Sequence, residues 1–353
     1  MKRIAIVGNI GHGEETSSGQ IIRTRILYDA LKKNYTAQKI YMINTGDYSR
    51  HFAGILFKTF ISLFKTDVYI VILSGNGRKV FFPILYFFSK AFGKIVLNNI
   101  IGGDYATSIQ KYPQYIKYSN SFSVNWVQTA MIKKEVEQEG VQNVEVLPNS
   151  KPLTIVNPKD IETKEEKIVH FCTFSRVSKA KGVETAIKAI EQINEEAEEM
   201  IATLTIYGKP DDDYKAEFKS LMSKRTKAIH YGGIVPFDKT PEVLSKYFML
   251  LFPTTFYGEG FPGTILDAYA SGLPVLASDW KFNPELITEG RTGYLYDHTS
   301  AQDFKEKLKL AIRERNKVNE MRFNCLKEAE KYTPENVMPI IFNKIDLLRG
   351  AIK

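Results

Sequence analysis

The chain reads as an α/β protein of two doubly wound, Rossmann-like domains facing across a cleft, a fold class that follows from three observations. Short apolar runs alternate with helical patterns along almost the whole length, the mark of parallel sheets covered by helices. The 353 residues exceed one ordinary core and suit two domains. The polar, proline-bearing stretch NPKDIETKEE at 157–166 interrupts the alternation once and reads as a linker. The expected domains are therefore 1–156 and 167–333, with a last helical segment, 334–353, free to cross back to the N-terminal domain.

In chain order, a strand at 3–7 runs into a glycine-rich loop, 8–19, and then a helix that carries Ile22, Ile26, Ala30 and Leu31 on one face. Further strands are expected at 37–43, 68–73, 94–98, 121–124 and 144–146, and 55–64 reads as an amphipathic helix. A second alternation begins after the linker: strand 168–174, helix from 183, strand 203–207, helix 215–222 and strand 229–231. A helix near 242–245, strand 249–252, a helix from 263 and strands 275–277 and 293–296 follow. Two amphipathic segments, 301–313 and 334–348, close the chain.

Composition narrows the function classes. Hydrophobic residues make up 44% and charged residues 25%, as in a folded globular protein. Cys172 and Cys325 are too few for a disulfide framework and lie in no metal-binding spacing, so a reducing, cytoplasmic setting is expected. No secretory signal is visible, and the most apolar stretch, 80–97, carries Pro83 and lysines and falls short of a membrane span. The net charge of +8 is unevenly spread: 1–134 holds 18 Lys/Arg against 6 Asp/Glu, and the remainder is close to neutral. No helix-turn-helix, zinc or RNA-recognition pattern accompanies this charge, so nucleic acid is not an expected partner. The basic half either solubilises the chain or meets an anionic surface, such as the inner face of a membrane. The aromatic stretches 52–64 and 81–92 fit lipid headgroup docking or, alternatively, the core of the first domain.

The strongest chemical signal is GEGFPGTILDAYASGLPVLASD at 258–279. It follows a buried strand ending LLFPTT and runs directly into a helix. Gly258, Gly260 and Gly263 permit close backbone approach, and the free N–H groups of the helix start attract a phosphate. Glu259 sits in the loop, where a carboxylate accepts sugar hydroxyls. Asp267 lies eight residues further on, about one turn inside the helix. The second signal is FSRVSKAKGVETAIKAI at 174–190, in which Arg176 and Lys181 flank a loop closed by Gly182. Two fixed cations at the carboxyl end of a strand suit a diphosphate whose charge grows as a sugar departs. The acidic run Asp211–Asp213 reads as a solvated helix start rather than a metal motif.

The 258–279 segment resembles the glutamate-x7-glutamate signature of glycosyltransferase family 4, the group 1 retaining enzymes of GT-B fold. The resemblance covers the second half in order and the first more weakly. It implies that Glu259 contacts the hydroxyls of the donor sugar, that Asp267 contacts the ribose, and that amides of Gly263, Thr264 and Ile265 hold the distal phosphate. Gly260 and Phe261 belong to the same loop. Asp267 departs from the usual glutamate, and one methylene fewer shortens its reach by roughly 1.5 Å. Arg176 and Lys181 resemble the family's diphosphate-binding pair. IYGKP at 206–210 and HYGGIVP at 230–236 resemble the loops flanking the nucleoside base, which brings in Gly208, Ile234 and Val235. LPNS at 147–150 resembles the loop ahead of the linker.

In the first half, GNIGHGEETSSGQ lacks the dinucleotide spacing. The resemblance points to Ser18 and Gly19 as a remnant of a glycine pair approaching the diphosphate. His12 and, in IIGGDY at 100–105, Asp104 are the acceptor-side candidates.

The resemblance thus implies a retaining, metal-independent hexosyl- or N-acetylhexosaminyltransferase using a UDP- or GDP-sugar as substrate, with no resident cofactor. Arg176, Lys181 and Glu259 are its expected catalytic residues. With no clear general base, a leaving-group phosphate oxygen is expected to take the acceptor's proton. The expected acceptor is a saccharide, in particular a lipid-linked glycan of bacterial surface polysaccharide assembly. A non-catalytic GT-B partner subunit and a sugar-nucleotide epimerase are the competing readings.

Overall fold

The computed structural model describes residues 3–11, 19–46, 48–163 and 165–350. The chain divides into two compact units, Met1–Pro152 together with Tyr332–Lys353, and Leu153–Lys331. The segment 157–166 lies in the second unit, where Asn157 caps a short turn, Pro158–Asp160, by accepting from the Lys159 amide.

The first unit holds six parallel strands: β1 (Ile4–Gly8), β2 (Ile40–Asn44), β3 (Val68–Ile72), β4 (Ile95–Asn99), β5 (Val124–Val127) and β6 (Val144–Val146). Their spatial order is β2-β1-β3-β4-β5-β6. Strands β1, β3, β4 and β5 are buried at every position, which is why they read as continuous apolar runs rather than as alternating ones. The helices Gly19–Asn34 and Pro334–Gly350 belong to this unit, and Val337, Ile341 and Ile345 share one core cluster with Leu27, Leu31, Ile70 and Trp126. Tyr35 donates to Asp346 at 3.0 Å, and its ring meets Phe342 edge-on.

The stretch 80–97 divides between the helix Gly75–Phe92 and β4, and no helix among the described residues is long and apolar enough to cross a membrane. The strand expected at 121–124 is displaced. The helix Gln114–Ser121 occupies its first residue, and the strand runs from Val124 to Val127.

The second unit holds β7 (Val169–Phe174), β8 (Ala202–Tyr207), β9 (Ile229–Gly233), β10 (Met249–Phe252), β11 (Val275–Ser278) and β12 (Gly293–Tyr296). These are parallel in the order β12-β11-β10-β7-β8-β9. The chain winds outward from β7 through β8 to β9, then returns to the other side of β7 as β10. The carboxyl ends of β7 and β10 are thus a topological switch point, where connections diverge and leave a crevice for ligands. In the first sheet the same reversal falls between β1 and β3.

Candidate functional site

The loops that carry the predicted cations and the predicted carboxylate leave the two strands at the second sheet's switch point. The loop after β7 carries Arg176 and Lys181, and the loop after β10 carries Glu259. Two glycines hold these loops against their neighbours. Gly182 has φ +72°, and a Cβ there would lie 2.1 Å from the Pro253 carbonyl oxygen. Gly208 has φ +128°, and a Cβ there would lie 1.7 Å from the Ser175 carbonyl oxygen. Backbone pairing completes both clasps: Thr255 N–H donates to Ala180 at 2.8 Å, and Val177 and Asp211 amides donate to Lys209 and Val177, both at 2.9 Å.

The consequence is a set of paired charges. Lys181 Nζ meets Glu259 Oε2 at 2.5 Å, with side chains 9% and 11% exposed. The same carboxylate oxygen accepts from Thr254 Oγ1 at 3.1 Å, and Thr254 Oγ1 in turn accepts from the Phe256 amide. Arg176 reaches both oxygens of Asp211, at 3.1 and 3.2 Å. Both cations lie against the Phe256 ring, with Lys181 Nζ 5.0 Å and Arg176 Cζ 5.8 Å from its centre. Two cations named from the sequence, Arg176 and Lys181, therefore share one aromatic ring, and the carboxylate, Glu259, pairs with the second of them.

The helix Gly263–Ala270 starts beside this cluster, after Pro262. Thr264 Oγ1 donates to the Phe174 carbonyl at 2.8 Å, tying the helix start to the end of β7. Ile265 is fully buried, and its amide is taken by the Pro262 carbonyl at 3.2 Å. Of the three amides expected to meet a phosphate, those of Gly263 and Thr264 thus suit an anion, and that of Ile265 supports the turn. Gly260 and Phe261 are buried in the preceding loop, and Asp267 is half-buried one turn into the helix.

On the other flank, Gly208 accepts from Tyr231 Oη at 2.9 Å and its amide donates to Gly233, so the 206–210 and 230–236 loops lie together. Ile234 there is 67% exposed, and Val235 is half-buried.

Three residues were missed by sequence reasoning. Thr254 was visible only as the end of LLFPTT. Asp211, read as solvent-facing, is half-buried against Arg176, whereas Asp212 and Asp213 are exposed as expected. Trp280 donates from Nε1 to the Phe256 carbonyl at 3.0 Å and so anchors the backbone that carries the ring.

Among the described residues one group gathers potential metal donors: Asp279, Asp297 and His298. Asp279 Oδ1 already pairs with the His298 ring and amide, and Asp297 Oδ1 accepts from the Thr299 amide and hydroxyl. These contacts suit a hydrogen-bonded turn.

In the first unit, Gly19 opens the helix Gly19–Asn34 and is exposed, and Asp104 is half-buried ahead of the helix Tyr105–Lys111. His12 and Ser18 lie outside the described residues. The carboxyl edge at the β1/β3 switch point holds a cavity of about 110 Å3, lined by Asn9, Gln20, Thr45, Ser74 and Phe81 among others. Arg23 is buried nearby in the sequence, donates to the Pro148 carbonyl and Asn149 Oδ1, and is pulled down to about 10 by burial.

Residues 156–331 match the family model for glycosyl transferases group 1. An uncharacterized glycosyltransferase of Methanocaldococcus jannaschii is 24% identical over 221 residues, which cover 62% of this chain and 51% of that protein. The GtfA subunit of a Streptococcus pneumoniae UDP-N-acetylglucosamine–peptide N-acetylglucosaminyltransferase is 25% identical over 174 residues, 47% of this chain and 33% of that one. The chain thus spans about half or less of the length of these relatives. The crystal structure of Anabaena HepE in complex with UDP superposes with a TM-score of 0.76 at 15% identity, covering 98% of this chain and 100% of that one. This likeness shows a GT-B fold.

Proposed function

We propose that this chain, which belongs to the group 1 glycosyltransferases through residues 156–331, moves a hexosyl or N-acetylhexosaminyl group from a nucleoside-diphosphate donor to a saccharide acceptor. The observation that carries this reading is the Lys181–Glu259 pair beside the start of the helix Gly263–Ala270, at the switch point of the second sheet. A diphosphate placed there meets Arg176, Lys181 and the amides of Gly263 and Thr264, which stabilise the charge left by a departing sugar. Glu259, freed from Lys181 as the phosphate arrives, accepts hydroxyls of that sugar. Asp267 is left for the ribose, directly or through a water, and Gly208, Ile234 and Val235 for the base. HepE, whose structure contains UDP, supports a uridine donor, with GDP as the other base to test.

Transfer proceeds on the front face with retention at the anomeric carbon. The acceptor's proton goes to a phosphate oxygen of the leaving group, and the cationic side chains replace a metal ion. In this reading Asp104 and His12 serve the acceptor, and Ser18 and Gly19 serve the diphosphate. The acceptor is a lipid-linked glycan of surface polysaccharide assembly, and the protein works as a cytoplasmic, membrane-peripheral enzyme.

Screening UDP-, GDP- and ADP-sugars for protection from thermal unfolding tests the donor. A ligand at 100 times its dissociation constant adds about 2.7 kcal/mol. Protection by one nucleotide class, undiminished in EDTA, supports the reading; protection by none removes it. Similarity to a GtfA subunit favours one alternative, a GT-B chain that acts as a partner subunit. Slow hydrolysis of the donor by the isolated chain would argue for an active centre of its own.

A further inference from the structure

The first unit carries an aromatic face that its own core does not use. The helix Tyr48–Ser62 buries Ile55 and Thr59, and the helix Gly75–Phe92 buries Phe81, Phe82, Leu85 and Phe88. The other sides of these helices expose Phe57 by 66%, Phe60 by 45%, Phe87 by 49% and Phe92 by 48%, and the turn after the first helix exposes Phe64 by 85%. These rings are not scattered. Phe57 and Phe60 follow one another at helical spacing, and Phe64 lies in the turn that ends the helix. Phe60 then meets the buried Phe88 at 5.7 Å, Phe88 meets Phe87 at 6.4 Å, and Phe87 meets Phe92 at 5.4 Å. Single exposed apolar side chains need no explanation, but a contiguous aromatic strip with a polar rim marks a binding surface.

The rim identifies the partner. Between Phe52 and Lys94 the sequence has Lys58, Lys65, Arg78, Lys79, Lys90 and Lys94, of which Arg78 is buried, against Asp67 as the one acid. Asp67 is neutralised by Lys94 at 3.6 Å, and Lys58, Lys65 and Lys90 are exposed. A second copy of this chain would set these cations against their own kind. Lysine is also depleted from protein–protein interfaces, whereas at a bilayer its stem lies along the apolar boundary and its ammonium reaches the phosphates.

We propose that the strip Phe57–Phe60–Phe64–Phe87–Phe92 docks on a bilayer of anionic phospholipid, with the rings at the headgroup boundary and Lys58, Lys65 and Lys90 on the phosphates. This deepens the reading of a membrane-peripheral enzyme above and gives it a surface. It concerns only the first unit and is separable from the donor chemistry of the second.

The test is flotation of the full chain with phosphatidylcholine vesicles, with and without about 30% phosphatidylglycerol, near physiological salt. The wild type is expected to float with the anionic vesicles, to stay down with the neutral ones, and to be released at high salt. The double variant Phe57→Ser/Phe64→Ser changes side chains that pack little, so it should fold, and its partitioning is expected to fall on the order of tenfold or more. Lys58→Glu/Lys65→Glu should fall similarly, while both variants retain the wild-type thermal protection by nucleotide sugar. Equal flotation with both vesicles, no flotation, or serines that split a dimer in light scattering without changing lipid binding would each overturn the proposal. Failure of the donor reading shows instead as lost nucleotide protection with lipid binding intact.

Discussion

Lys181 and Glu259 neutralise each other where neither side chain is more than 11% exposed. Removing one partner of such a pair leaves an uncompensated charge, at a cost of about 3–5 kcal/mol. Glu259→Gln keeps a hydrogen-bonding group of the same shape and is the milder probe. Transfer by Glu259→Gln is expected to fall about 10²–10³-fold, the size of losing one well-placed polar group in an active centre. Both variants leave Lys181 uncompensated, but Glu259→Gln still accepts its hydrogen bond, so its thermal midpoint should lie above that of Glu259→Ala. Turnover measured beside thermal unfolding on both variants checks this. The carboxylate and both cations were legible in the sequence, because charged residues between glycines after buried strands have little to do with packing. What was not legible is how they are held. Asp211 belongs to a run of three aspartates that looks alike in sequence, and only the Val177–Lys209–Asp211 backbone pairing selects the first for Arg176.

At the scale of elements, the loops depend on close approach. Gly182→Ala puts a Cβ 2.1 Å from a carbonyl oxygen at φ +72°, so the β7 loop must move or strain. Strain of this kind costs about 1–3 kcal/mol. A lower denaturation midpoint together with weakened nucleotide binding is expected, since Lys181 is its neighbour.

Glu196, at the end of the helix Val183–Glu196, pairs with Lys305 at 2.7 Å and with Lys309, both on the helix Ala301–Arg313. Hydrogen bonds from these lysines hold its carboxyl down at about 2, below its ordinary 4.5. A depressed carboxylate stabilises the fold above its ordinary value and loses that effect as pH falls from about 4.5 towards 2. Glu196→Gln should flatten the acid-side slope of stability in that window, as seen in denaturation midpoints at successive pH values.

Strands were the most legible elements, since strands buried on both faces read as apolar runs. Helices such as Arg315–Glu330 escaped notice because their burial is spread among polar residues. Asn319 and Arg322 lie inside with Val318, Met321 and Cys325, and the two terminal nitrogens of Arg322 donate to the carbonyls of Tyr247 and Ser245.

At the scale of the whole molecule, each unit has its own sheet and its own core. The last helix, Pro334–Gly350, is part of the first unit's core although it follows the second in sequence. Ile341→Ala is expected to cost the first unit about 2–5 kcal/mol. Nucleotide affinity should be unchanged, because the proposed donor cradle belongs to the second unit. Calorimetric unfolding with and without nucleotide reports both.

The central claim is that one cluster in the second unit divides the donor between cations for the diphosphate and a carboxylate for the sugar. Titration calorimetry of free nucleoside diphosphate and of the matching nucleotide sugar tests it most directly. Arg176→Ala/Lys181→Ala is predicted to weaken both ligands by about tenfold or more, consistent with the loss of charge-assisted hydrogen bonds. Glu259→Gln is predicted to leave the free diphosphate nearly unaffected and to remove the added affinity contributed by the sugar. Unchanged binding of both ligands in both variants would contradict the account.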